Sequence, residues 1–134
     1  TLKRCNFLNA VINKLGLKNV NVINDRAENF ISAKREAYDL VTSRAVSRLN
    51  MLLELSIPFL RVNGYMIALK GKNAELELNE AKNALDLLNT KLLNKFDLKL
   101  PSEEENRSIL ILQKKSITNT KYPRNYGTIK KKPL

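Results

Sequence analysis

Histidine is missing from the sequence and cysteine occurs once, at Cys5. One thiol cannot form an internal disulfide, and without imidazole the Cys/His donor sets of structural zinc sites cannot be assembled. The same absence removes the commonest general base of enzyme active sites. No run approaches the roughly 18 consecutive apolar residues of a membrane span, and no basic start with an apolar core marks a secretory leader. P-loop, nucleophile-elbow and metal-ligand motifs are missing too, as is any internal repeat. A reducing cytoplasmic setting, no metal and no membrane partner are the expectations these absences leave.

Acidic residues are absent from Lys114 onward, while Lys114, Lys115, Lys121, Arg124, Lys130, Lys131 and Lys132 all fall there. The formal charge of +11 is therefore unevenly spread, as a basic tail on a mildly basic body. Such a tail suits a polyanion, nucleic acid before membrane, because no Lys-rich amphipathic helix with bulky aromatic anchors accompanies it. A merely solubilising tail is the plainer alternative.

Apolar residues make up 43% of the 134, enough to bury one core in a single domain. Cys5, Leu8, Val11, Ile12 and Leu15 recur at helical spacing up to Gly16, predicting an amphipathic helix with Cys5 as a small core residue. Val20, Val22 and Ile23 predict a short strand, followed by a turn and a short helix around Phe30 and Ile31. In YDLVTSRAVS, residues 38–47, a strand over 38–43 stops at a polar turn carrying Arg44, and Ser47 is placed to cap the next helix. That helix is marked by Val46, Leu49, Leu53, Ile57 and Leu60, broken near Pro58 and ended before Gly64.

Residues 65–69 form a continuous apolar strand ending at Lys70 and Gly71, the second strand closed by a cation. Leu78, Ala81, Leu85 and Leu88 mark a third helix. Two last strands, 91–100 and 108–112, flank a solvated turn at Glu103 to Glu105. The pattern predicts an α/β fold with a mostly parallel sheet, helices on both faces and one antiparallel strand near the end. Residues 1–115 form the domain; residues 116–134, aperiodic and containing Pro123, Gly127 and Pro133, form a basic carboxyl-terminal arm. In such sheets ligands bind at the carboxyl ends of the strands, which suits Arg44 to an anion, although position alone fits a solvated loop arginine equally.

Four runs in order, RAENF (26–30), DLVTSRAV (39–46), GYMIALKGK (64–72) and KYPRNYGTIKKKPL (121–134), resemble the carboxyl-terminal portion of the bacterial small-subunit ribosomal RNA guanine-N7 methyltransferases, also called glucose-inhibited division protein B. The resemblance implies an incomplete class I (Rossmann-like) methyltransferase fold lacking its first two strands and the glycine-rich cofactor loop. It implies S-adenosylmethionine as cofactor, N7 of a guanine in 16S rRNA as target, the rRNA or the small-subunit particle as partner, and a monomeric full-length protein. The start at Thr1, already inside a helical pattern, reads as a fragment, which alone is expected to be inactive.

By the same resemblance Ala27 and Glu28 border the adenine ring. Arg44 contacts the cofactor or the target nucleotide as a positioning residue, with no general base. Lys70, Arg107, Tyr122 and Arg124 are expected near RNA. Glu28 is also explained as a helix N-terminal acid favoured by the dipole, and Lys70 and Arg107 as ordinary solvated charges. Lys130, Lys131 and Lys132 are read as phosphate contacts, and Tyr122 or Tyr126 as a ring on which a base could stack or as a packing anchor. Two other readings are a non-catalytic basic α/β RNA-binding module and a piece of a Rossmann-type oxidoreductase.

Overall fold

The apolar runs at 38–43 and 65–69 pair with each other in the computed structural model, which describes residues 1–101 and 105–134. They form β1 (Tyr38–Arg44) and β2 (Leu60–Lys70), parallel and in register from Leu40 opposite Tyr65 to Arg44 opposite Leu69. β3 (Thr90–Lys99) and β4 (Asn106–Lys114) complete a sheet in the order β1-β2-β4-β3. β4 is antiparallel to both its neighbours, so β1, β2 and β3 share one direction and β4 alone opposes it. This is the expected Rossmann-like sheet, mostly parallel with an antiparallel strand near the end. Gly64 is required where β2 passes β1: a Cβ there would stand 2.9 Å from the Arg61 carbonyl oxygen and 3.0 Å from that of Asp39.

The helices are α1 (Leu2–Leu15), α2 (Ala27–Lys34), α3 (Leu49–Ser56), α4 (Ala74–Glu80), α5 (Lys82–Leu87) and α6 (Tyr126–Lys131). Leu49, Leu53 and Ile57 meet Met66, Ala68, Leu110 and Leu112 of the sheet, with Ala81, Ala84 and Leu88 closing the same core. Burying each of the larger side chains stabilises the fold by about 1.5–3 kcal/mol before entropy is counted.

Several expectations are corrected. Helices were expected on both faces of the sheet, but Tyr65 and Leu69 on the second face are 43% and 41% exposed. α1 ends as anticipated in a left-handed Gly16, whose amide and that of Leu17 bond back to Asn13 and Ile12, yet α1 has no buried residue. Cys5 is accordingly half-exposed rather than part of the core. Residues 20–23 form no strand, because β-propensity needs a neighbouring strand to express it and none pairs with them among the described residues. The helix expected from Val46 to Leu60 is only α3 plus one 3-10 turn, Ile57–Phe59, with Pro58 in that turn and Leu60 opening β2. The third helix is two, broken at Ala81. The turn expected at Glu103 to Glu105 lies outside the described residues except for Glu105, which is exposed and pairs with Lys72 at 2.9 Å.

Residues 116–134, expected as an arm, fold back onto the body. Thr118, Tyr122 and Ile129 are buried, and Asn125 caps α6 by accepting the Thr128 amide. The wholly buried Lys114 donates to the Leu60 carbonyl at 2.8 Å and pairs with Glu36 at 2.6 Å.

A cationic cleft at the strand ends

β1 ends at Arg44 and the chain turns at once, through Ala45 at φ 54°, a left-handed conformation that costs a residue with a Cβ about 1–2 kcal/mol. β2 ends one place further along at Lys70, and β4, on the far side of β2 from β1, carries Arg107 and Ser108 near its start, with Ser108 opposite Lys70. These ends frame a cleft of about 500 Å³ whose walls include Arg44, Lys70, Glu77, Arg107 and Ser108 and whose apolar lining is Leu69, Leu98, Leu100 and Ile109. Three cations expected from the sequence, Arg44, Lys70 and Arg107, therefore come together in one cavity at the carboxyl edge of β1 and β2. Arg44 is exposed and Arg107 half-buried.

Lys70 is the most enclosed of the three, with its side chain 8% exposed. Its ammonium donates to the Ser47 carbonyl at 2.7 Å and pairs with Glu77 Oε2 at 2.6 Å. Glu77 Oε2 also accepts the Leu49 amide at 2.8 Å, satisfying one of the unpaired donors at the start of α3. Ser47 was expected to provide that cap. Its hydroxyl instead donates to the Arg48 carbonyl, and Arg48 is the cap residue, without a side-chain bond.

A second hollow of about 410 Å³ lies along β1, which pairs only with β2 among the described residues. Ala27, Leu40, Val41, Thr42, Ser43 and Val46 line it, and Val46 is shared with the cationic cleft. Ala27 thus stands on the β1 side of the site, whereas Glu28 lines neither hollow. The Glu28 side chain is 11% exposed and pairs with Arg26 at 3.5 Å, at the first turn of α2, where the helix dipole favours an acid.

The tail residues separate into two groups. Tyr122 is 4% exposed, which of its two expected roles fits the packing anchor, and its carbonyl accepts from Arg35. Arg124, expected near RNA, pairs bidentately with Glu54, a carboxylate with no exposure in α3. Tyr126 lies under the Arg26 guanidinium, 5.2 Å from the ring centroid. Lys130, Lys131 and Lys132 are exposed. Glu77 and Glu54 were missed from the sequence, although Glu54 had a signal, since a carboxylate inside the apolar run of α3 requires a cation.

No helix among the described residues is long and apolar enough to cross a membrane, and no group of three or more acidic or thiol side chains among them could hold a metal. Residues 1–109 match the family model described as rRNA small subunit methyltransferase G. Proteins named ribosomal RNA small subunit methyltransferase G from Lactobacillus johnsonii and Clostridium perfringens are 44% and 46% identical, each over 98% of this chain and 56% of its own length. One from Streptococcus pyogenes is 47% identical over the same shares. The chain thus spans about half the length of the curated relatives it matches. Among solved structures, the T. thermophilus 16S rRNA N2 G1207 methyltransferase RsmC, in complex with AdoMet and guanosine, matches 66% of this chain and 23% of its own at 23% identity and a TM-score of 0.41, a likeness too slight to bear on function. From the family match over most of its length, the chain belongs to the rRNA small subunit methyltransferase G family.

Proposed function

We propose that this chain is part of an enzyme that transfers a methyl group from S-adenosylmethionine to N7 of a guanine in 16S rRNA, free or in the small-subunit particle. The observation that carries the reading is the convergence of Arg44, Lys70 and Arg107 on one cleft at the ligand-binding edge of the sheet. The hollow beside β1 fits one wall of a cofactor site. Its lining is mainly apolar, with Thr42 and Ser43 hydroxyls at the strand end and the small Ala27 allowing a flat ring to approach. When bound, S-adenosylmethionine supplies an electrophilic methyl group on a sulfonium.

Guanine N7 presents a lone pair and no proton, so the transfer needs no general base and the absence of histidine is no obstacle. The protein must align the base with the methyl group and provide fixed charge where charge moves from sulfur to purine. Leu69, Leu98 and Ile109 offer the base an apolar surface, and Arg44 holds the cofactor carboxylate or the purine edge. Lys130, Lys131 and Lys132 neutralise phosphates outside the cleft.

The test uses a full-length family protein carrying these residues, 16S rRNA and methyl-labelled cofactor, followed by borohydride reduction and aniline. N7-methylation leaves the purine cationic and open to reduction, after which the strand breaks. Label incorporation with scission at one guanine is expected. Incorporation without scission contradicts N7, and RNA binding with no incorporation supports the non-catalytic module instead.

A further inference from the structure

Lys70 and Glu77 come from different elements, the end of β2 and the first turn of α4, yet both close on the segment that follows Arg44. Lys70 Nζ holds the Ser47 carbonyl, Glu77 Oε2 holds the Leu49 amide, and the two side chains are bonded to each other at 2.6 Å. One turn further along α4, Glu80 pairs with Arg48 at 2.9 Å. Three successive residues, Ser47, Arg48 and Leu49, are therefore tied down, the first to Lys70 at the end of β2 and the other two to α4, shortly after a left-handed Ala45 that the chain would not adopt unaided. The pair is also largely dry, with side-chain exposures of 8% and 15%, and the Lys70 ammonium has two partners within the protein.

We propose that Glu77, acting through Lys70 and the Leu49 amide, is a positioning residue that fixes the turn presenting Arg44 to the cleft. The inference rests on the proposed role of Arg44 and assigns the rigidity of that role to α4. It separates the three cleft cations by function: Arg44 acts on the ligand, while Lys70 acts on the backbone that carries Arg44.

The experiment is a double-mutant cycle in the full-length family protein, read by single-turnover methylation at saturating RNA and cofactor. Glu77→Ala is expected to slow methyl transfer about tenfold and leave the RNA dissociation constant within about twofold. Glu77→Gln keeps an acceptor for Leu49 but loses the charge opposite Lys70, and falls between. The deciding value is the combination: in an Arg44→Ala background, Glu77→Ala should add no further loss, because what it positions is gone. Multiplicative losses in the double variant would overturn the proposal, since Glu77 would then act by a separate route. If Glu77→Ala fails to fold, Glu77→Gln carries the same cycle. Amide exchange of residues 45–49 reads the tether independently of activity. Unchanged protection in Glu77→Gln contradicts the tether, whereas faster exchange with full activity in Arg44→Ala retains it and overturns the role given to Arg44.

Discussion

Arg124 donates through Nε and Nη2 to the two carboxylate oxygens of Glu54, at 2.8 and 2.7 Å, and its backbone amide donates to the same group at 2.8 Å. Glu54 has no exposure and lies on the apolar face of α3, so this single contact both neutralises a buried charge and fastens the carboxyl-terminal segment to the core.

Removing the cation alone should therefore be costly. Arg124→Ala leaves Glu54 buried and unpaired, and a loss of about 3 kcal/mol or more is expected in urea unfolding. Protease cleavage within residues 116–134 should accelerate in the same variant. Replacing both partners, Glu54→Leu with Arg124→Leu, should recover most of the loss, because the penalty comes from the stranded charge. A change below about 1 kcal/mol for Arg124→Ala contradicts the anchoring role.

The pairing of Glu36 with Lys114 gives stability an acid limb. Burial by itself would raise the Glu36 pKa, but the bond from Lys114 and its charge, with the Thr118 amide and the Arg35 charge, together outweigh burial and hold it below the ordinary 4.5. A carboxyl with a lowered folded pKa releases protons on folding, so its stabilisation is complete above the unfolded value and is lost as pH falls through the folded one. Glu36→Gln should flatten the decline of the urea midpoint between about pH 5 and about pH 3 relative to the parent. Lys114 acts in the opposite range: burial lowers its pKa, partly offset by Glu36, so stability should rise with pH as the folded value is passed. A parental acid limb in Glu36→Gln would show that other carboxylates set it.

The hollow along β1 lies at a sheet edge, since among the described residues β1 has β2 as its single strand neighbour. Calorimetry of the 134-residue chain should give no saturable heat with S-adenosylmethionine at concentrations that saturate a full-length relative. Tight one-to-one binding would mean that the cofactor site is complete within these residues.

Lys130, Lys131 and Lys132 are exposed at the end of α6, where each can meet a phosphate. Neutralising all three should weaken RNA binding and reduce its salt dependence by roughly one unit of slope for each phosphate left without its lysine. Methyl transfer at saturating RNA should change much less. Filter binding across a salt series reads this, and an unchanged slope would remove these lysines from the interface.

The strand ends at Arg44 and Lys70 were legible because each is written locally, an apolar run and then a polar residue that ends it, whereas Arg107 came only from the family resemblance. The fate of residues 116–134 was not, because its anchors are single residues whose partners lie far off in the chain, Arg124 with Glu54 and Thr118 with Glu36. Periodicity registers neighbours three or four apart and is blind to such pairs. Val20 to Ile23 show the converse, a local strand preference that meets no partner strand among the described residues. Tyr122 was left open for a related reason: an aromatic among lysines and prolines suits stacking and packing alike, and only its burial distinguishes them.

Arg44 tests the account most directly, because it is the exposed cation of the cleft at the end of β1. In a full-length family protein carrying these residues, Arg44→Ala should lower single-turnover methylation on the order of tenfold or more, equivalent to about 1.4 kcal/mol of lost transition-state stabilisation. RNA affinity should stay near parental across the salt series. Methylation at the parental rate by Arg44→Ala would contradict the account, since the cleft would then not be where the reaction occurs.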